Sequence, residues 1–365
     1  IMAAFTLIIA AVIFITMDDT LISLYLHEGS EAGDLAATLN YGKEYLKVML
    51  LGLPPMAVEI SYSSTLRESG ETGVPMKASL VAVFVNLVLN YILIFGKLGF
   101  PVLGVVGAAI ATVISRYIQM IYVVIWTHTH TVEAPYADGV YRDFAVSWTM
   151  FSKVLLLALP LMCNETLWAA GVAALNTCYS TRGLSVVAAI NIQSTIYNIF
   201  NIMYIAMGDA IAIIVGQELG AGHIDKAKDT ATKIIVMGVT FATLGGLLMF
   251  AISGLFPLVY NTSDEVRSIA CSVIRVTACV MPIHALLHAL YFSIRSGGKT
   301  IITFLFDSVY LWVIAFPFAY FLAHYTGIDI LLMFILCQSV DLIKVAVGFF
   351  IFRSGIWAKN ITGNI

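Results

Sequence analysis

The chain has 365 residues, 60% hydrophobic and only 11% charged, with a net charge of −3. Soluble domains carry about 25% charged residues, so the solvent of this chain is mainly lipid, and neither its charge balance nor any basic run suits nucleic acid. The five cysteines (Cys163, Cys178, Cys271, Cys279, Cys337) lie inside apolar runs with no C-x-x-C pair, which indicates neither a disulfide framework nor a zinc site.

IMAAFTLIIAAVIFITM (1–17) lacks the basic start and small-residue cleavage site of a signal peptide and reads as a helix. A spanning helix needs about 20 mainly apolar residues. On that basis the sequence predicts ten spans: 1–17, 44–66, 75–96, 104–126, 150–175, 185–215, 231–253, 268–294, 301–323 and 330–352. The polar stretch between the fourth and fifth divides the chain into an N-terminal lobe (1–127), a cytoplasmic linker (128–149) and a C-terminal lobe (150–365).

The lobes carry an internal repeat. YLKVMLLGLPPMAVEISYSSTLRESGET (45–72) aligns with VIRVTACVMPIHALLHALYFSIRSGGKT (273–300). One constant interval pairs Lys47 with Arg275, Pro54 with Pro282, Arg67 with Arg295, Gly70 with Gly298, Thr72 with Thr300 and Arg116 with Lys344. Spans 150–175 and 185–215 have no copy, so two further spans are expected upstream of residue 1, giving six plus six helices. An even number per half makes the repeats parallel, about an axis along the membrane normal. The expected fold is an all-α polytopic membrane protein of two pseudo-symmetric six-helix lobes, with ten of twelve helices present.

Basic residues set the orientation. A cytoplasmic 127–149 loop puts Arg67, Lys77, Arg142, Lys153, Lys226, Lys228, Lys233, Arg295, Lys299, Arg353 and Lys359 inside, against Lys43, Lys47, Lys97, Arg182 and Arg267 outside. The C-terminus is then cytoplasmic.

Four stretches carry a family resemblance. VLNYILIFGKLGFPVLGVVGAAIATVISR (88–116) resembles the fifth-to-sixth helix hairpin of multidrug and toxic compound extrusion (MATE) transporters. VGQELGAGHIDKAK (215–228) is similar to the glycine-rich turn after their eighth helix, SIRSGG (293–298) to the end of their tenth, and WAKNIT (357–362) to bacterial tails. The resemblance spans the whole chain. It implies a carrier, not an enzyme, that exports amphipathic, cationic compounds across the plasma membrane by alternating access. Exchange is with H⁺ or Na⁺, with no cofactor besides that ion, and the carrier is expected to work as a monomer in the lipid bilayer. Two alternatives stand beside it. A flippase for lipids or lipid-linked polysaccharides of the same superfamily would line its cavity with several arginines. An intramembrane enzyme would need a motif such as H-E-x-x-H or a serine–glycine elbow, which is absent from the sequence.

Within the spans, Glu165 follows Pro160 in LPLMCNETLWAAG (159–171). A carboxylate near the bilayer centre costs at least ~2.5 kcal/mol, so Glu165 is expected to face a cavity with Asn164, Trp168 and Asn176, held out of water. The resemblance puts the cation-coupling acid of the seventh helix at this position. Asp209 stands where the family has a small or neutral residue, and reads as a second cation ligand or a partner for a basic group. His284 and His288 form an i, i+4 pair. His284 stands where some sodium-coupled relatives carry an aspartate, and its imidazole suits protons. No metal site is expected.

Asn86 and Asn90, with Thr112 opposite, are expected to form a polar pocket; some proton-coupled relatives carry an acid at the position of Asn90. Asn191, Tyr197, Asn198, Asn201 and Tyr291 complete the expected substrate cavity, where aromatic faces would suit lipophilic cations. The remaining charges read as structural: Asp341 and Lys344 neutralise each other at i, i+3, Asp307 lies near Lys299, and Glu59, Lys47, Arg116 and Arg275 snorkel from span ends. Gly216, Gly220 and Gly222 are expected to cap a helix and allow close backbone approach.

Overall fold

The computed structural model describes residues 35–139 and 147–358, with Leu7, Phe14 and Thr16 besides. Apart from those three residues, the expected span 1–17 falls outside the described residues, as does the tail beyond 358. Two compact units divide the chain, 1–146 and 147–365.

In the first unit, α1 (Leu35–Leu50) and α2 (Leu53–Glu68) lie where one span over 44–66 was expected. Pro54 and Pro55 have no N–H to give to the carbonyls of Leu50 and Leu51, so the helix stops and restarts at Gly52. α3 (Gly73–Phe95) and α4 (Gly104–Thr129) follow as a hairpin. Leu80, Val83, Phe84 and Leu87 of α3 are exposed at helical spacing, whereas Ala78 and Ala82 are buried. Small residues let helices approach closely where lipid gives no hydrophobic drive, so the large side chains are left for the acyl chains.

Among its described residues the second unit has six long helices: α5 (Trp148–Ser180), α6 (Leu184–Gly220), α7 (Ile224–Ala251), α8 (Asp264–Ser296), α9 (Thr300–Tyr325) and α10 (Ile330–Ser354). With α3 and α4 they make eight described helices long and apolar enough to cross a membrane. Side chains start three of them: Ser147 accepts from the Met150 N–H, Ser263 from Val266 and Asp329 from Leu331. α8 keeps its course through Pro282, where the first copy of the repeat breaks at its double proline. Two helices widen into π turns, α6 at Ile211–Val215 and α9 at Leu305–Val309 and Leu311–Ala315.

Buried apolar residues of α6, α7 and α8 pack together, among them Ile196, Phe200, Ala242, Met249, Ile274 and Met281. A second cluster ties α7, α8 and Phe306 of α9 to the tail. There Trp357 is fully buried and stacks on Phe352, with ring centroids 5.2 Å apart. Its backbone carbonyl lies over Gly297, where a Cβ would stand 1.6 Å from that oxygen. The glycine-rich turn differs from expectation: Gly216 and Gly220 sit inside helix with open space around them. Only Gly222 takes the left-handed backbone, at φ +81°.

Candidate functional site

A polar network crosses the second unit and begins at the first π turn of α9. Widening at Leu305–Val309 frees a backbone group and turns Asp307 and Ser308 toward α5. Buried Asn164 of α5 meets them: its Oδ1 accepts from the Ser308 N–H at 3.3 Å, and its Nδ2 donates to Asp307 Oδ2 at 3.2 Å and to the Tyr291 hydroxyl at 3.1 Å. Lys344 of α10 donates to Asp307 Oδ1 at 2.7 Å, and each of the two side chains is 15% exposed. This corrects the expectation that Lys344 and Asp341 neutralise each other: Lys344 reaches across to α9, and Asp341 instead faces His284, at 3.7 Å.

Glu165, one residue beyond Asn164, points into an open cavity of about 270 Å³. Trp168, Tyr204, His284, His288, Tyr291 and the Asp307–Lys344 pair also line it. Two weak donors hold the Glu165 carboxylate, the Tyr291 hydroxyl at 3.3 Å and the Arg295 guanidinium at 3.4 Å. Its side chain is 59% exposed, so Glu165 is open to the cavity where a dehydrated acid was expected. The two carboxylates thus differ in availability. Asp307 is held by the largely buried Lys344 and by the Asn164 amide, whereas the Glu165 carboxylate has only two loose partners.

A neighbouring cavity of about 290 Å³ shares Trp168, His284, Asp307 and Lys344 with the first and extends to Tyr197, Tyr310 and Asp341. The Tyr197 hydroxyl bonds His284 Nδ1 at 3.1 Å and also bonds Tyr204. His288 sits between Tyr204 and Phe292, at centroid distances of 5.5 and 4.8 Å, and its buried Nε2 has no hydrogen-bond partner among the described residues.

In the first unit Asn86, Asn90 and Thr112 lie together, but Asn90 does not line the cavity there. Asn86 Nδ2 donates to the Thr112 hydroxyl at 3.3 Å, and Asn90 Nδ2 to Asn86 Oδ1 at 2.9 Å. Asn86 and Thr112 line a cavity of about 240 Å³ with Ser79, Ser115, Arg116 and Gln119.

Of the other expected site residues, Asp209, Asn191 and Asn198 are exposed and Asn201 is half-buried, and none lines these cavities. Asp307, Asp341, Lys344, Arg295 and Tyr204 were missed as site residues. The repeat, which pairs Arg116 with Lys344, was the available signal that a basic group belongs inside each unit. Three of the four charges read as snorkelling are engaged, while Lys47 is exposed. Arg116 donates to Gln119, Arg275 donates to Ser253 and lies over the Phe250 ring, and Glu59 is buried. Among the described residues no group of three or more His, Cys, Asp and Glu could hold a metal ion.

A sequence relative is the "Probable multidrug resistance protein NorM" of Bacillus cereus, 26% identical over 289 residues, which are 78% of this chain and 62% of that protein. The chain thus spans less than two thirds of that relative's length. Among solved structures, the outward-facing conformation of a multidrug resistance MATE family transporter of the MOP superfamily matches with a TM-score of 0.81. It is 21% identical, over 96% of this chain and 76% of that one. An inward-facing conformation under the same description matches with a TM-score of 0.73 at 19% identity, over 97% and 78%. These likenesses show the fold. The MatE family profile matches residues 1–92 and 160–321, well over half the sequence. With eight spans to set beside that match, this multi-pass membrane chain belongs to the MatE family.

Proposed function

We propose that the chain serves a secondary active carrier that exports amphipathic, cationic compounds across the plasma membrane by alternating access, in exchange for H⁺ or Na⁺. The C-terminus is cytoplasmic and the working unit a monomer. One observation carries the reading: Glu165 is a loosely held carboxylate at the mouth of a cavity walled by Trp168, Tyr204 and Tyr291. Aromatic faces attract a lipophilic cation, and the carboxylate binds either that cation or the coupling ion, so the two compete for one charge. Competition of this kind is what couples an inward ion flux to outward export. A one-for-one swap of monovalent cations moves no net charge, so the ion's concentration gradient drives it: each tenfold ratio is worth about 1.4 kcal/mol and sustains about tenfold export.

The test is dye efflux from an efflux-deficient bacterial host expressing the chain and loaded with a fluorescent lipophilic cation. Energy-dependent efflux is expected, falling at least tenfold in Glu165→Gln. Collapse by a protonophore with indifference to replacing Na⁺ by K⁺ identifies the proton as the coupling ion; the converse identifies Na⁺. Gradient-driven efflux that persists unchanged in Glu165→Gln refutes the assignment.

A further inference from the structure

In the second unit the chain places a cation of its own beside Glu165. Tyr291, Phe292 and Arg295 of α8 share a face, since Arg295 follows the two rings at i+4 and i+3. The Arg295 guanidinium lies over the Phe292 ring, 5.6 Å from its centroid, and reaches Glu165 Oε1 at 3.4 Å. Phe292 and Tyr291 line the cavity that Glu165 faces, with ring centroids 5.3 Å apart. A planar cation thus sits between an aromatic face and a carboxylate, supplied by the chain itself.

That seat is loosely filled. Both donors to Glu165, the guanidinium and the Tyr291 hydroxyl, use Oε1; among the described residues Oε2 accepts no hydrogen bond. The side chains of Arg295 and Glu165 are 35% and 59% exposed, so water and salt weaken their ion pair. Arg295 also has another place to rest. It stands in the last turn of α8, where the free carbonyls and the helix dipole favour a cation. Tyr291 stays behind when it leaves, because Asn164 Nδ2 donates to the tyrosine oxygen at 3.1 Å and leaves its proton for Glu165.

The seat is peculiar to the second unit. At the matching repeat positions the first unit has Ser63, Ser64 and Arg67. The arginine recurs there, exposed, where serines replace the two rings. A basic group at this helix end therefore needs no aromatic face beneath it. Charge points the same way: Asp307 and Lys344 answer each other at 2.7 Å, which leaves Arg295 to balance Glu165. A cation entering from outside makes that balance redundant.

We propose that Arg295 is an internal placeholder for substrate, and that the seat between Phe292 and Glu165 takes aromatic amidinium or guanidinium cations, which displace it. The inference rests on the reading of Glu165 as the cation site and adds the substrate class. A ligand of that class presents two parallel N–H donors to both carboxylate oxygens and stacks on Phe292, whereas Arg295 makes one long contact. A quaternary ammonium has no N–H to give.

The test is binding of p-aminobenzamidine, followed by its fluorescence, to the purified chain in lipid nanodiscs. A placeholder that fills the seat about nine-tenths of the time weakens apparent affinity about tenfold. Arg295→Met is therefore expected to tighten binding about tenfold, and Arg295→Gln does the same should the first variant not fold. Arg295→Lys keeps the charge and is expected to stay within about threefold of the parent. In a Glu165→Gln background binding is weak, and Arg295→Met brings no gain. Phenyltrimethylammonium is expected to compete about tenfold less well than benzamidine, for want of N–H donors. Parent-like or weaker binding by Arg295→Met, beside weakened binding by Glu165→Gln, overturns the placeholder and leaves the reading of Glu165 standing. Equal competition by the two cations overturns the substrate class. Unchanged binding in Glu165→Gln removes the seat itself, and the reading of Glu165 with it.

Discussion

Lys344 and Asp307 stand 2.7 Å apart, each 15% exposed, with Asn164 on the carboxylate's second oxygen. Removing one member of a buried pair strands the other charge and typically costs about 3–5 kcal/mol, whereas replacing both with apolar groups is often neutral. Lys344→Met should therefore lower the thermal unfolding midpoint strongly in detergent, and the double variant Lys344→Met/Asp307→Leu should recover most of the loss. A Lys344→Met midpoint equal to that of the parent would show the pair to be unimportant, and a double variant as low as the single one would show that the stranded carboxylate is not the cause. Glu165 was legible in the sequence because an acid among leucines has few innocent explanations. The partner of Lys344 was not. Asp341 sits at i, i+3 and suggests a pair along one helix, while the actual partner is presented by a π turn of another helix that the sequence does not announce.

At the scale of the element, that π turn and the break between α1 and α2 are the departures from regular helix that matter most. Pro54–Pro55 announces the break inside the expected span over 44–66, where apolar content alone gives no sign of the missing donors. The π turn at Leu305–Val309 lacks such a mark; it is held from outside, by the Asn164 side chain that accepts the Ser308 N–H and bonds Asp307. Losing a buried partner costs about 1–3 kcal/mol. Asn164→Ala should accordingly speed amide hydrogen exchange at Ser308 by at least tenfold while leaving the α7–α8 pair protected. Unchanged exchange at Ser308 would mean the turn holds its own shape. Span positions and helix type were readable throughout from apolar run length, since eight of the ten expected spans have a described helix of matching extent.

For the whole molecule, duplication explains what is alike in the two units and what is not. Both place a basic side chain at the same repeat position, Arg116 and Lys344, yet one is answered by an amide and the other by a carboxylate. The exposed apolar surface away from the cavities meets lipid. Phe84 of α3 is 68% exposed beside Leu80 and Leu87. Phe84→Lys should cost about 2.5–3.5 kcal/mol in a translocon insertion assay, whereas Phe84→Leu should insert as before; equal insertion of both would place that face away from the acyl chains. The asymmetry between the units was hidden because a repeat is recognised by what matches, and Glu59 against Leu287 is a mismatch.

Trp357 seated over Gly297 has a practical corollary. Two residues upstream of that glycine, Arg295 reaches Glu165, so the chain's exit is mechanically tethered to the helix end that steadies the acid. A fluorescent protein or affinity handle fused soon after Ala358 would tug on this latch, and Gly297→Ala would unseat it from within. Either change should shift Arg295 without touching the cavity, which makes internal labels on the 130–139 stretch the safer way to follow this molecule in cells.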